Sequence, residues 1–423
     1  MKIPRFALLI FLVVGILAGI GYLLIKRISP PASLPADSLD EEFSARVENS
    51  LVMLDENGQP QWGKTATLAE RMEAFQVPGV SIAVIDEYKL HWAKGYGTRT
   101  AGENEPVTAQ TLFNSGSVAK SLSAAAALTL VEQGLLKLDE DVNSDLVSWR
   151  VPENEYTRVE KVTLRRLLSH SAGLKDGLTE LGSDDPMPAY ITFGNELPSV
   201  TLAQLLEGMP EDDIEPTRVV NVPGSSYRYT NADYAILELL VEDRLGTPFE
   251  AFMQARVLDR LGMAFSTYHH APPENLRALF ASEHTLDGKL VQGGRAIFPF
   301  HAAGSLWATP GDLALFIIDL IQAYQGEGGH LLSPSMAKEM MSSQIEISDS
   351  PLSEAYGLGV ELKSTSQGPI VWHSGGTWGS CSLIWFYPQL GKGLVVMVNS
   401  ASGSLLRLEI LLSIATVYGW PLD

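Results

Sequence analysis

The most apolar stretch of the chain comes first. From Phe6 to Ile25 an unbroken run of apolar, glycine and tyrosine residues lies between Lys2/Arg5 and Lys26/Arg27. About 20 such residues match the hydrocarbon thickness of a bilayer, and the chain has no other run of this kind. A cleaved signal peptide has a shorter apolar core, ~7–15 residues, closed by a small-residue cleavage site. Here the run continues into Lys-Arg and a proline-rich stretch (Pro30, Pro31, Pro35). The pattern predicts an uncleaved signal anchor over 1–25, forming one N-terminal transmembrane helix, and a linker over 26–38; cleavage is the alternative. Basic residues at both ends make the positive-inside rule weakly informative.

In the body, 39–423, the periodicity changes several times. Thr67 to Phe75 has helical character and stops before Val77-Pro-Gly. Val80–Ile85 and Leu90–Tyr96 are β-rich runs around Asp86-Glu-Tyr-Lys, the pattern of a hairpin. Val118 to Gln133 is rich in Ala and Leu and ends at Gly134, which predicts a helix with an Ala-lined face for close packing. From about 139 to 294 the pattern is mostly helical, broken by Pro and Gly. Strand-like runs then follow at Gly357–Leu362, Ile370–His373, Ser382–Tyr387 and Gly393–Val398, before an apolar helix from Ser404 to Val417. Strands at both ends with a helical middle predict an α/β protein of the α+β type. One mainly antiparallel sheet, flanked by helices, is built from two distant segments, with an inserted helical subdomain and a cleft between them.

Composition narrows the function more than the fold. The chain has 423 residues, 45% hydrophobic and 19% charged, as a globular protein with a sizeable core should. The net charge is −20, and residues 1–36 hold four basic residues and no acidic one, so the body is more acidic still. That excludes bulk-charge attraction to nucleic acid; a solvated acidic surface suffices to explain it. The single cysteine, Cys381, excludes an intramolecular disulfide. No Cys/His cluster has metal-ligand spacing, so neither a metal nor another cofactor is expected. Oligomeric state has no signature in the sequence.

Two S-x-x-K matches are present, Ser117-Val-Ala-Lys120 and Ser335-Met-Ala-Lys338. On a helix, residues i and i+3 share a face, so a lysine there can sit against the serine hydroxyl, and burial can lower its pKa towards a base's working range. Ser335 follows Ser333-Pro334 and starts a Met-rich amphipathic segment, which suits a helix N-cap near solvent. Ser117 opens the most apolar helix of the body, where a lysine without a role is costly. Position therefore favours Ser117, though the motif alone does not separate the two.

Tyr229-Thr-Asn231 is the one Y-x-N, between Val222-Pro-Gly and a helical segment from Tyr234. Beside a lysine, such a tyrosine can lose or relay a proton, and Asn231 can orient the lysine or hold a substrate amide. Read alone, it is equally a buried aromatic at a loop-to-helix junction. His373-Ser374-Gly375-Gly376 is the one H-x-G, at the end of a β-run. It reads either as a turn or as a glycine-rich strand edge along which a substrate backbone adds, with the Gly376 N–H joining that of Ser117 in an oxyanion hole.

In this order, S-x-x-K, Y-x-N and H-x-G resemble the serine β-lactamase and penicillin-binding-protein-like superfamily, in the branch near class C β-lactamases, D-aminopeptidases and related esterases. Val77-PGVSIAV, Leu167-LSHSAGL, Val222-PGSSYRYTN and Ala302-AGSLWATPGDLALF are similar to further landmarks, so the likeness runs from about Thr67 to Gly419. The resemblance implies an antiparallel sheet flanked by helices plus a helical subdomain. It also implies Ser117 as acylated nucleophile, Lys120 and Tyr229 sharing base and acid duty, Asn231 positioning Lys120 or substrate, and His373, Ser374, Gly375 and Gly376 as the substrate-binding strand edge. A small-molecule or peptide acyl donor is the implied partner, with the body outside the cytoplasm and the membrane met through the N-terminal helix.

G-x-S-x-G is absent, which argues against an α/β-hydrolase, and S-D-N is absent, which argues against the class A branch. Class C lactamases and many D,D-peptidases carry K-[ST]-G where this chain has His373. A mostly neutral histidine holds a substrate carboxylate less firmly than lysine, so the acyl donor stays open among ester, β-lactam and D-amino-acid peptide. The alternative to an enzyme is a non-catalytic module of the same fold that binds peptidoglycan, a lipid or a protein. His170 reads as structural, His269-His270 as an exposed loop, Cys381 as a small buried hydrophobe, and Trp307 and Trp378 as cleft or core residues.

Overall fold

Apolar runs without polar alternation require burial on both faces, and the sheet meets that requirement. The computed structural model describes residues 41–421 except 56, 176, 179–189, 213, 349 and 351. The expected anchor, 1–25, and linker, 26–38, lie outside the described residues. Two strands come from the early chain, β1 (Gly79–Asp86) and β2 (Lys89–Gly97), and six from the late chain: β3 (Ile345–Glu346), β4 (Ala355–Tyr356), β5 (Glu361–Lys363), β6 (Ile370–Gly376), β7 (Cys381–Tyr387) and β8 (Lys392–Val398). They form one eight-stranded sheet in the order β3-β4-β5-β6-β7-β8-β1-β2, antiparallel at every pairing. The β1–β2 turn at Glu87 and Tyr88 has φ of 47° and 65°, the left-handed pair that lets a tight hairpin follow the sheet's twist.

The four long helices are α1 (Ala119–Glu132), α2 (Asn231–Leu245), α3 (Pro310–Gln325) and α4 (Ser404–Tyr418); α3 and α4 pack on the sheet, and α1 and α2 pack on each other. Side chains alternate across each strand, so Val80, Ile82 and Val84 of β1 pack with Leu406, Ile410 and Ile414 of α4. Ala83 and Ile85 join the opposite core, with α1 and α3. Among the described residues, Ala401–Tyr418 is the one helical stretch long and apolar enough to cross a bilayer by length and composition, and it is the helix that covers this sheet face. Its buried Glu409 takes Arg71 Nη2 at 2.7 Å and Nε at 2.8 Å, plus the Leu54 N–H at 2.9 Å, which ties α4 to the N-terminal elements.

The hairpin, the helix before it (Leu68–Ala74, capped by a Thr67–Glu70 box), α1 and α4 lie where periodicity placed them. Two expectations need correction. Gly357–Leu362 is not one strand: β4 ends at Tyr356, β5 begins at Glu361, and the residues between turn. Gly359, at φ 83°, makes the turn against α1, with its N–H bound to Leu168 O at 2.9 Å and its carbonyl to Ser121 Oγ at 2.7 Å. The 139–294 region is not predominantly helical either. Only α2 and a helical run from Phe249 to Leu261, interrupted by a π turn at Gln254–Leu258, are long there, and Leu164–Leu168 and Leu202–Glu207 have five or six residues each, among short strands and loops. Helices that short depend on tertiary packing, and their apolar residues join the larger core from irregular backbone. The α3 helix, unmarked by the periodicity reading, starts where Thr309 accepts the Asp312 N–H and Pro310 takes the first turn.

A side chain at 359 has no room, because a Cβ there would sit 2.4 Å from Ala124 Cβ. Gly359→Ala is expected to destabilise the protein by roughly 2–4 kcal/mol, measured as a lower urea midpoint with an unchanged m-value.

Candidate active site

Asn114 Oδ1 accepts the Gly116 N–H at 3.0 Å and Leu306 O accepts that of Ser115 at 2.8 Å, bending the chain into a 3-10 turn, Gly116–Val118, before α1. Gly116 has φ 50°, and a Cβ on it would lie 2.7 Å from the Gly376 nitrogen. Only glycine allows β6 to come this close to the turn. Ser117, half-buried, is thereby set at the start of α1 facing a cavity of about 620 Å³.

Lys120, one turn on, is fully buried. Its Nζ lies 2.7 Å from Ala303 O, 2.8 Å from Asn231 Oδ1 and 3.1 Å from Ser117 Oγ. The carbonyl and the amide oxygen can only accept, so each takes one N–H, and the direction towards Ser117 is left to a proton or, in the neutral amine, a lone pair. Asn231 opens α2, with Thr230 as N-cap, and its Nδ2 donates to Leu178 O at 3.3 Å, fixing the amide's orientation.

Tyr229 stands beside Ser117, and its ring lies 5.0 Å from Lys120 Nζ. Burial pushes its phenol above the ordinary value and the nearby Ser117 hydroxyl pulls it down less, so Tyr229 is a neutral phenol at pH 7. Behind it, His170 is held in the left-handed region at φ 53°. Its ring lies 4.2 Å from that of Tyr229, and its Nδ1 is 2.6 Å from Asp233 Oδ2. Burial first, then the neighbouring Lys120 and His373, hold its pKa well below the ordinary histidine value, in agreement with a structural role.

The H-x-G segment is strand throughout, since β6 runs to Gly376 and pairs with β7 up to Gly376–Cys381. Its pairing with β5 stops at Trp372, so beyond His373 that edge is unpaired by any described strand. His373 itself does not face the cleft. Its ring is buried, with Nδ1 2.7 Å from Ser374 O and Nε2 2.8 Å from Tyr356 Oη. The carbonyl can only accept, so Nδ1 carries the proton and Nε2 accepts from the tyrosine. Burial, and then Lys120, push its pKa down to about 3. The expected strand edge is therefore offered by the backbone of Ser374, Gly375 and Gly376, without the imidazole.

Three side chains passed over in the sequence shape the site. Glu238, buried in α2, accepts the His301 and Ala302 N–H groups, each at 2.7 Å, and so fixes the loop that brings Ala303 O to Lys120. Glu283, buried, accepts Thr377 Oγ1 at 2.6 Å and the Ala296 N–H at 2.7 Å, joining the turn after Gly376 to the next loop. Arg407 of α4 donates from Nη1 to Gly375 O at 2.9 Å and Ser382 O at 2.5 Å. Gly375 O and Gly376 N belong to one peptide unit. Alternation along an antiparallel strand turns Gly375 towards β7 and Gly376 towards the open edge, so the guanidinium polarises the N–H that faces Ser117. A charge on an otherwise apolar helix face (Glu238 in α2, Arg407 in α4) was the available signal.

The rival motif is separated by exposure: Ser335 and Lys338 are exposed, and Ser333, not Ser335, caps their helix. His269 and His270 are half-buried, not an exposed loop, and His270 stacks on His301 at 4.1 Å. Trp378 lines the cavity and Trp307 packs on Phe280 at 4.7 Å. Cys381 is buried and lines the same cavity. Among the described residues no group of three or more His, Cys, Asp or Glu is placed to hold a metal ion.

This fold and this serine–lysine–tyrosine cluster define a class, the β-lactamase and penicillin-binding-protein-like proteins. A sequence model described as Beta-lactamase matches residues 65–414, and the chain belongs to that family. It is 22% identical over 333 residues to Protein flp of Staphylococcus aureus (strain N315), covering 78% of this chain and 61% of that protein. It is 24% identical over 357 residues to the unguisins hydrolase ungD' of Aspergillus campestris, covering 79% and 61%. The chain thus spans about three fifths of the length of these curated relatives. Among solved structures, an octameric penicillin-binding protein homologue from Pyrococcus abyssi superposes with TM-score 0.66 and 26% identity, covering 83% of this chain and 76% of that one. The D-alanine carboxypeptidase AmpC of Burkholderia cenocepacia, at 19% identity, shares the fold with TM-score 0.64 over 89% and 99%.

The neutral state of His373 has a pH signature. Its ring is expected to show no titration between pH 5 and 8 by NMR. Below pH 6.5 the unfolded chain binds a proton that the folded histidine refuses, so stability falls with pH from 6.5 towards 3, by about 1.4 kcal/mol per pH unit for each such group. His170 acts in the same direction.

Proposed function

We propose that the protein hydrolyses an acyl donor in two steps through an ester on Ser117. The observation that carries the reading is Lys120 Nζ, held by Ala303 O and Asn231 Oδ1 so that its third direction meets Ser117 Oγ. Ser117 Oγ attacks the donor's carbonyl carbon while its proton passes to Lys120, directly or by way of Tyr229. The N–H groups of Ser117 and Gly376 receive the oxyanion. As the carbonyl re-forms, the bond to the leaving group breaks and that group takes a proton from Tyr229. Water then repeats the attack on the ester, and Ser117 recovers its proton.

Of ester, β-lactam and D-amino-acid peptide, the ester is favoured. β-Lactams and acyl-D-Ala-D-Ala peptides bring a carboxylate next to the reacting bond, and the residue at the third motif, His373, is neutral and turned inward. The same reading places the body outside the cytoplasm, tethered by Phe6–Ile25. What supports the tether is the length of that run and its basic flanks.

The test uses protein lacking residues 1–36 and an activated phosphonate probe, read by intact mass. One adduct is expected on the wild type, none on Ser117→Ala, and labelling at least ~100-fold slower on Lys120→Met; an adduct that survives Ser117→Ala would overturn the assignment. For the tether, full-length protein should stay in membranes after an alkaline carbonate wash and the truncated form should not.

Arg407 supplies a separate prediction. Removing one oxyanion donor costs about 10²–10³ in kcat, and depolarising a retained donor should cost less. Arg407→Met is expected to lower kcat ~10-fold at nearly constant KM, with Arg407→Lys partly restoring it, in steady-state ester hydrolysis.

A further inference from the structure

One wall of the cavity is a run of aromatic rings. Phe298 lies between Phe300, centroids 5.6 Å apart at 30°, and Trp378, 5.9 Å apart at 27°. Tyr190 extends the row from Phe300 at 6.5 Å. All four line the same cavity as Ser117 and Gly376, with Leu178 and Leu286 beside them. Phe298, Phe300 and Tyr190 are buried and Trp378 is half-buried, so the row is a packed, pre-formed surface rather than mobile side chains at a rim.

The row is also fixed to the chemistry. Phe298 and Phe300 precede Ala303, whose carbonyl holds Lys120, and Ser305 Oγ donates back to Phe300 O at 2.6 Å. Trp378 stands two residues beyond Gly376, in the turn anchored by Glu283 through Thr377. Among the described residues lining the cavity there is no lysine or arginine. Asp287 contributes the one carboxylate there, with Lys289 as its ion-pair partner at 2.5 Å.

Resting on the acyl-transfer reading above, we infer that this wall is a substrate subsite for a flat aromatic group two or three bonds from the scissile carbonyl, in a donor without a carboxylate. Stacked and edge-on ring contacts would select such a group over a short alkyl chain. The aromatic group can belong to the acyl part or to the leaving part, since both sit beside Ser117.

The test is a set of matched esters followed by pH-stat: methyl acetate, methyl phenylacetate, benzyl acetate and methyl 4-carboxyphenylacetate. A kcat/KM at least ~10-fold above that of methyl acetate is expected for methyl phenylacetate if the ring is acyl-side, or for benzyl acetate if it is leaving-side; the added carboxylate should remove most of a gain for phenylacetate. Trp378→Ala should shrink the aryl-to-alkyl ratio several-fold, and the ratio, not the absolute rate, is the readout. Equal kcat/KM for all four esters, or a ratio unmoved in a folded Trp378→Ala, overturns the subsite and leaves Ser117 untouched. Should no ester turn over, saturation-transfer NMR of phenylacetamide against acetamide decides. Aryl binding lost in Trp378→Ala supports the subsite while the catalytic reading fails; absence of aryl binding sinks the subsite as well.

Discussion

The structure is organised around one buried nitrogen, Nζ of Lys120. An amine taken out of water without hydrogen-bond partners is costly, and more so when charged; Lys120, in the first turn of α1, is fully buried. Its partners are a backbone carbonyl at Ala303 and an amide at Asn231, both from distant parts of the chain, and the hydroxyl of Ser117 one turn away. Each must be presented within hydrogen-bond distance of one atom. The cap of α2, the loop before α3 and the turn before α1 are therefore constrained together. An arginine could not replace this lysine, because a planar fork cannot point at three acceptors set around a single nitrogen.

Rigidity around that atom comes from buried carboxylates away from the reacting atoms. Glu238 ends its side chain on two successive N–H groups of the Ala303 loop, and Glu283 bridges the loop at Ala296 to the turn after Gly376. Burial raises the pKa of Glu283, while its bonds to Thr377 and Ala296 resist the rise. These contacts span long sequence separations, so they are packing decisions visible only once the chain is folded. In the sequence both residues look like surface charges that fell on an apolar pattern.

What could be read in the residues was local. Turn chemistry and apolar runs located β1, β2, β6, β7 and β8, and the Ala-rich stretch located α1, because those signals act over a few residues. The Gly357–Leu362 run misled because the same apolar residues serve a glycine turn pressed on α1 as well as a strand. The two S-x-x-K motifs were alike on paper and differ through burial: one lysine is buried in the first turn of its helix and the other is in solvent. At the third motif, the substitution of histidine for lysine was legible, but its consequence was not. Whether that imidazole meets a substrate depends on Tyr356 and the Ser374 carbonyl, which claim both of its nitrogens.

That last contact bears on selectivity. A cation at the third motif would bias the cleft towards anionic donors at all physiological pH values. A histidine left free in the cleft would do so only below its ordinary pKa. Here the ring is neutral at either end of that range and engaged by Tyr356 and the Ser374 carbonyl, so the edge at Ser374, Gly375 and Gly376 carries dipoles but no charge. Discrimination then passes to what else lines the cavity. There four aromatic rings and two leucines stand with the neutral polar residues Ser117, Asn231, Thr285, Thr377 and Ser404, and Asp287, paired with Lys289, is the one charged residue of the described lining. Serine, lysine and tyrosine set which bond breaks, and the inward turn of His373 gives the choice of donor to the rings.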